Sequence, residues 1–240
     1  MPTVIVVAGY GLNCEAETLF AFEQSKINGK IVHINEILKN PKILDNYQIL
    51  AIPGGFSYGD QTGSGNAFAS KMSRFFDNLQ EFLNKDKLVI GICNGAQILT
   101  RFFTDLQFTF VANDSNLYQC EWVDLAVEKT SCIWLQDIDE IRLPIAHGEG
   151  KLYTENLQKI KNLVALRYLN NLNGSMDNIA ALTDTTGKML ITMPHPERAI
   201  FMHHQDNFFK TREYNRRNNI TNEKFSSAIR VFQNAYSYFC

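Results

Sequence analysis

The sequence predicts an α/β fold in which a mostly parallel central sheet carries helices on both faces, with antiparallel additions in the second half. Two observations carry this expectation. The first half alternates short β-branched runs with longer stretches that are apolar at helical spacing, the pattern of strand–helix–strand units. Beyond about Thr104 shorter alternating segments follow one another with turn residues between them, as antiparallel strands do. No repeat, low-complexity tract or linker divides the 240 residues, so a single domain over residues 1–240 is expected.

In chain order, Val4–Ala8 reads as the first strand and Glu15–Ser25 as a helix, with Leu19 and Phe22 on its apolar face. Lys30–Ile34 and Ile49–Ile52 are the next strands. Ala67–Leu83 spaces Phe68, Met72, Phe75, Phe76, Leu79, Phe82 and Leu83 as a helix would. Leu88–Ile92 is a fourth strand, and Ala96–Phe103 reads as the helix after it. In the second half Glu121–Val127, Cys132–Leu135, Ile141–Ala146, Val164–Tyr168, Ile179–Thr183 and Met189–Met193 read as strands. Ala199–Asn222 is polar and reads as a loop or lid, and Glu223–Phe239 as a closing helix.

Composition narrows the function. Apolar residues make up 45% and charged residues 20%, and the net charge is −2. Such a chain has no field that favours nucleic acid or an anionic membrane. Its longest apolar runs, Val4–Ala8 and Leu88–Ile92, are far too short to span a bilayer. The first residues carry no basic region or small-residue cleavage site, so a cytoplasmic protein is expected. The five cysteines are odd in number and none has Cys-x-x-Cys spacing, which argues against a disulfide framework or a zinc knuckle. His203 and His204 with Asp206 are not expected to bind metal, because adjacent histidines point apart.

Three motifs stand at the ends of predicted strands. In Val89-Ile90-Gly91-Ile92-Cys93-Asn94-Gly95 a buried strand runs into a cysteine flanked by glycines, and a helix follows at once. This is the nucleophile elbow with cysteine in place of serine: its neighbours are glycine because the turn is tight, and the helix N-terminus favours thiolate. Pro53-Gly54-Gly55-Phe56-Ser57-Tyr58-Gly59-Asp60 follows another strand, and its glycines free backbone N–H groups for an oxyanion. Met193-Pro194-His195-Pro196-Glu197-Arg198 supplies a base and its orienting carboxylate; in an extended segment His195 and Glu197 point to the same side. There is no Gly-x-x-x-x-Gly-Lys-Ser/Thr, so ATP is not expected on this chain.

Gly-Ile-Cys-Asn-Gly with Gln97, the glycine loop and Met-Pro-His-Pro-Glu-Arg together resemble the class I (triad) glutamine amidotransferases, which implies a flavodoxin-like sheet. Within that family the pattern is most similar to the glutaminase component of phosphoribosylformylglycinamidine synthase, of purine biosynthesis. Ala146-His147-Gly148-Glu149-Gly150, Leu172-Asn173-Gly174-Ser175 and Gly11-Leu12-Asn13-Cys14-Glu15 support the narrower resemblance. It implies Cys93 as nucleophile, His195 as base and Glu197 as its orienter. It further implies Gly55 and Asn94 as oxyanion donors and Gln97 as a glutamine-holding residue, with no metal. His147 and Glu149 match family positions without a role read from the sequence.

The implied partners are glutamine, a synthase subunit that carries ATP and magnesium, and a small accessory subunit. Two departures concern docking rather than chemistry. Gln61-Thr62-Gly63-Ser64-Gly65 looks more like the fused form of the enzyme than the stand-alone one, and Leu172 stands where the family has proline. A different cysteine hydrolase on a similar fold, or a non-catalytic interaction subunit, are the alternatives; turnover of glutamine against peptides separates the first, and trapping Cys93 with an electrophilic glutamine analogue the second.

Overall fold

The fold is given by a computed structural model, in which residues 1–57 and 79–240 are described. Among them nine strands form one sheet in the order β2-β1-β3-β4-β11-β10-β9-β6-β7. β1 (Thr3–Ala8) lies between β2 (Asn28–His33) and β3 (Ile49–Ile52), followed by β4 (Leu88–Ile92) and β11 (Met189–Thr192), all parallel. β10 (Ile179–Thr183), β9 (Val164–Tyr168), β6 (Gln119–Val127) and β7 (Glu140–His147) continue the sheet antiparallel. The parallel core with antiparallel additions is thus the predicted one.

β3 and β4 are buried at every position. A strand covered on both faces has no reason to alternate, which is why these runs are continuously apolar. From β1 the chain turns to one side for β2 and to the other for β3, so a crevice opens beyond the carboxyl ends of β1 and β3. The loops after these strands meet there, paired through Leu12 and Gly55.

The helices are α1 (Glu15–Gln24), α2 (Ile34–Lys39), α3 (Asn94–Leu99), α4 (Leu157–Ile160), α5 (Phe208–Arg217) and α6 (Ile229–Phe239), and residues 79–84 are also helical. α3 sits directly on β3: a Cβ at Gly95 would lie 1.9 Å from the Ile52 carbonyl oxygen and 3.1 Å from that of Pro53. Gly95→Ala is therefore expected to push the helix off the sheet and cost about 1–3 kcal/mol of stability, the usual range for overpacking. Thermal unfolding checks this, and an unchanged Tm would mean that the helix can lift at no cost.

Several segments differ from the sequence reading. Ile34 is not in a strand: β2 ends at His33, whose ring accepts from Asn35 N–H at 3.2 Å and caps α2. Cys132–Leu135 is not a strand either. Ile133–Leu135 is a buried 3-10 turn, and the Asn234 carboxamide of α6 takes the carbonyls of Trp134 (3.1 Å) and Gln136 (2.8 Å). A side chain satisfies this backbone where a ladder would have done so.

Ala199–Asn222 is no loop, since it holds a 3-10 turn at Met202–His204 and the exposed helix α5. The closing helix starts at Ile229, after Phe225 pairs with Phe201 and a local turn in which Ser226 Oγ accepts from Ala228 N–H (3.1 Å). The helix expected over Ala67–Leu83 lies outside the described residues up to residue 78, as does the Gln61–Gly65 departure. A small antiparallel pair, β5 (Phe108–Val111) with β8 (Lys151–Thr154), was not read from the sequence.

Candidate active site

Cys93 ends β4 at φ 50° and ψ −106°, a left-handed conformation that costs a residue with a side chain about 1–3 kcal/mol. Its surroundings impose it. Cys93 N–H continues the ladder to the Thr192 carbonyl at 2.7 Å, and α3 begins at the next residue. The flanking glycines are needed because a Cβ at Gly91 would lie 2.5 Å from Leu99 Cδ1 and 2.8 Å from the Gly95 carbonyl. The thiol is 6% exposed and donates to the Ala146 carbonyl at 3.6 Å.

His195 follows β11, the strand next to β4. Its N–H is fastened to the Pro144 carbonyl at 2.9 Å, and its Nδ1 meets Glu197 Oε1 at 2.6 Å. The two side chains are 2% and 0% exposed. Pro196–Arg198 forms a 3-10 turn, so the carboxylate reaches the ring through a tight turn rather than the extended geometry expected. Burial pushes the imidazole pKa down, but the Glu197 carboxylate and then Cys93 outweigh it and hold it well above the ordinary histidine value. Nε2 is buried and makes no conventional hydrogen bond. A Cβ at Gly54 would lie 2.8 Å from His195 Cε1 and 3.6 Å from Cys93 Cβ. The glycine thus keeps clear the space that the imidazole and the thiol share.

Gly55 has φ 151°, and a Cβ there would lie 2.4 Å from the Gly11 carbonyl oxygen and 2.6 Å from Leu12 Cα. In the Leu12–Gly55 bridge the hydrogen bonds flank the pair: Asn13 N–H donates to Gly54 O (3.1 Å) and Phe56 N–H to Gly11 O (2.9 Å). The Gly55 N–H is thereby left outside the ladder, as an oxyanion donor must be.

A run of amides ties this loop to the elbow. Ser57 N–H donates to Asn94 Oδ1 (3.2 Å), Asn94 Nδ2 to Gln97 Oε1 (2.8 Å), and Gln97 Nε2 to the Glu149 carbonyl (2.7 Å). Gln97 lines the pocket, with its carboxamide engaged by the protein. The cavity shared by Cys93, Gln97, Gly55 and His147 measures about 10 Å³. That is room for about one water molecule, not a glutamine side chain.

Two groups of residues beside the site received no role from the sequence. Asn113, 1% exposed, holds the Ala146–Gly150 loop. Its N–H donates to Gly148 O (2.9 Å) and its Nδ2 to His147 O (2.9 Å), while Oδ1 accepts from Gly150 N–H (3.1 Å) and faces His147 Nδ1 (3.1 Å). With Oδ1 fixed as acceptor, His147 Nδ1 carries the proton. Burial pushes the His147 pKa down to about 4, so the ring is neutral. An asparagine in a polar turn gives no sequence signal of such a task, because turns use the residue routinely.

The second is Cys14, which burial pushes far above the ordinary thiol pKa. Its Sγ, a nitrogen of His195 and an oxygen of Glu197 all lie within 4.8 Å of one another. Thiol, imidazole and carboxylate are zinc donors, but Arg198 Nη2 stands 2.9 Å from that sulfur. A fixed guanidinium there opposes a metal cation. Asp206, named with His203 and His204, pairs with Arg142 at 2.9 Å.

A thiol on a strand-to-helix elbow, a buried imidazole–carboxylate pair from the neighbouring strand and a glycine loop with a free amide define a cysteine amidotransferase domain. The chain matches the CobB/CobQ-like glutamine amidotransferase domain over residues 1–239, and it belongs to that family. The phosphoribosylformylglycinamidine synthase subunit PurQ of Methanococcus maripaludis strain C7 is 38% identical over 100% of this chain and 98% of its own. The subunit of the same name from Dehalococcoides mccartyi is 37% identical over 79% of this chain and 82% of its own. Among solved structures, a chain of PurLQS from Thermotoga maritima superimposes with a TM-score of 0.79 at 29% identity, covering 100% of this chain and 99% of that one. Among the described residues no helix is long and apolar enough to cross a membrane.

Proposed function

We infer that the protein is the glutaminase subunit of phosphoribosylformylglycinamidine synthase, working in the cytoplasm. The observation that carries this is the full-length similarity to subunits of that name, joined to a complete Cys93–His195–Glu197 site. The chain releases ammonia from glutamine and passes it to a synthase subunit, which uses ATP and magnesium to amidate phosphoribosylformylglycinamide. The partners are that synthase and a small accessory subunit, and the similarity to a chain of PurLQS supports a multi-subunit assembly.

In the chemistry proposed, the Cys93 thiol yields its proton to His195 and its sulfur attacks the side-chain carbonyl carbon of glutamine. The Gly55 and Asn94 N–H groups stabilise the oxyanion. His195 then protonates the leaving nitrogen, the C–N bond breaks, and ammonia departs from a γ-glutamyl thioester. Water, deprotonated by the same imidazole, attacks the thioester; glutamate leaves and the thiol is restored. Glu197 holds the ring in the orientation both steps need.

The small cavity beside Cys93 supports a site that its partner opens to glutamine. Glutamine hydrolysis measured for the chain alone, with the synthase, and with the synthase and its substrates tests this. Turnover is expected to rise on the order of tenfold or more, about 1.4 kcal/mol, between the first state and the last. Identical turnover in all three would leave a constitutive hydrolase.

A further inference from the structure

Beside the imidazole–carboxylate pair lies a set of charged groups to which the reaction gives no direct part. Arg198 Nε donates to Glu17 Oε1 at 2.7 Å, and Nη2 donates to the Cys14 sulfur at 2.9 Å. The Cys14 thiol in turn donates to Asn13 Oδ1 at 3.4 Å, so it accepts from one neighbour and gives to another. Cys14 and Glu17 sit at the start of α1, and the Cys14 N–H is pinned to the Gly54 carbonyl at 3.2 Å. The guanidinium is therefore fixed from the α1 side. Its Nε lies 3.9 Å from Glu197 Oε1, the oxygen that also meets His195.

Glu197 needs such a neighbour. Its side chain is 0% exposed, and Oε2 makes no hydrogen bond among the described residues. A buried carboxylate is costly unless paired and held by hydrogen bonds. Arg198 places a guanidinium beside it, and the 3-10 turn that brings Glu197 to the ring brings Arg198 with it.

We propose that Arg198, clamped by Glu17 and Cys14, is a positioning residue for the triad: it balances the buried charge of Glu197 and fixes the carboxylate so that Oε1 stays on His195 Nδ1. This gives Asn13 and Cys14 a task, as the far wall of the clamp. It rests on the glutaminase reading, since it concerns the geometry of that site.

The test uses the assembled complex with its substrates. Arg198→Gln is expected to lower kcat for glutamine hydrolysis on the order of 10- to 100-fold, the scale of a small misplacement of catalytic groups, with KM for glutamine within about twofold. Arg198→Lys, which keeps the charge, should restore most of the rate. Ammonia-dependent synthesis should stay at the wild-type level in both. Glu17→Gln leaves the cation but loosens the clamp, and its kcat should fall by less than that of Arg198→Gln; it serves as the test if the Arg198 variants fail to assemble. An unchanged kcat in Arg198→Gln or in Glu17→Gln, a loss confined to KM, or a lysine variant as impaired as the glutamine one would overturn the proposal. Cys93→Ala in the same complex is the control: hydrolysis surviving in it would sink the glutaminase reading itself.

Discussion

Cys93→Ala is expected to abolish glutamine-dependent synthesis and leave ammonia-dependent synthesis by the assembled complex intact at high ammonia. The substitution removes the sulfur and little else. Alanine has the same Cβ, so it meets the same φ of 50° at the elbow, and the backbone bond to Thr192 O is unaffected. Among the described residues the thiol contact to the Ala146 carbonyl is lost, together with the interaction with His195. Without a nucleophile there is no thioester, and the fall should be on the order of 10⁴-fold or more, as for other catalytic units of this kind. Feeding the complex glutamine and ammonia separately makes the measurement. Equal loss of both activities would instead assign Cys93 a structural role.

His195→Ala should cost nearly as much. The thiol would lose the base that takes its proton and the acid that returns it to the leaving nitrogen, and members of a catalytic unit are strongly non-additive. Combining the two substitutions should therefore add little to either. Glu197→Ala should cost less, because the ring remains fastened by the His195 N–H bond to Pro144 O and water can enter to take the place of the carboxylate. A folded Glu197→Ala protein slower than His195→Ala would show that the two roles have been assigned the wrong way round. Single-turnover kinetics with glutamine would rank the three variants.

How far the molecule can be read from its sequence depends on where each residue finds its partners. Ile49–Ile52, Leu88–Ile92, Val164–Tyr168 and Ile179–Thr183 are strands with the bounds read from the sequence. Burial on both faces makes Ile49–Ile52 and Leu88–Ile92 continuously apolar, and turn residues bracket them. Cys132–Leu135 is just as apolar but is matched by Asn234, a residue of the closing helix that no local pattern connects to it. Cys93, His195 and Glu197 were legible because the chemistry proposed for them needs particular residue types at strand ends. Asn113 and Arg198 were not legible in that way. Asn113 bonds mainly to backbone atoms of a loop far along the chain, and Arg198 bonds to a helix at the other end of it.

The neighbouring places of β4 and β11 carry one more implication. Val89 to Ile92 pair in register with Met189 to Thr192, and the proposed nucleophile and base follow these two strands, Cys93 directly and His195 three residues past Thr192. The distance between sulfur and imidazole is therefore set by a backbone ladder in the middle of the sheet, where proteins open last. Parting the two backbones would break that ladder. A silent state that keeps it leaves both residues at their strand ends and withholds something else: the way in, or the donors that receive negative charge.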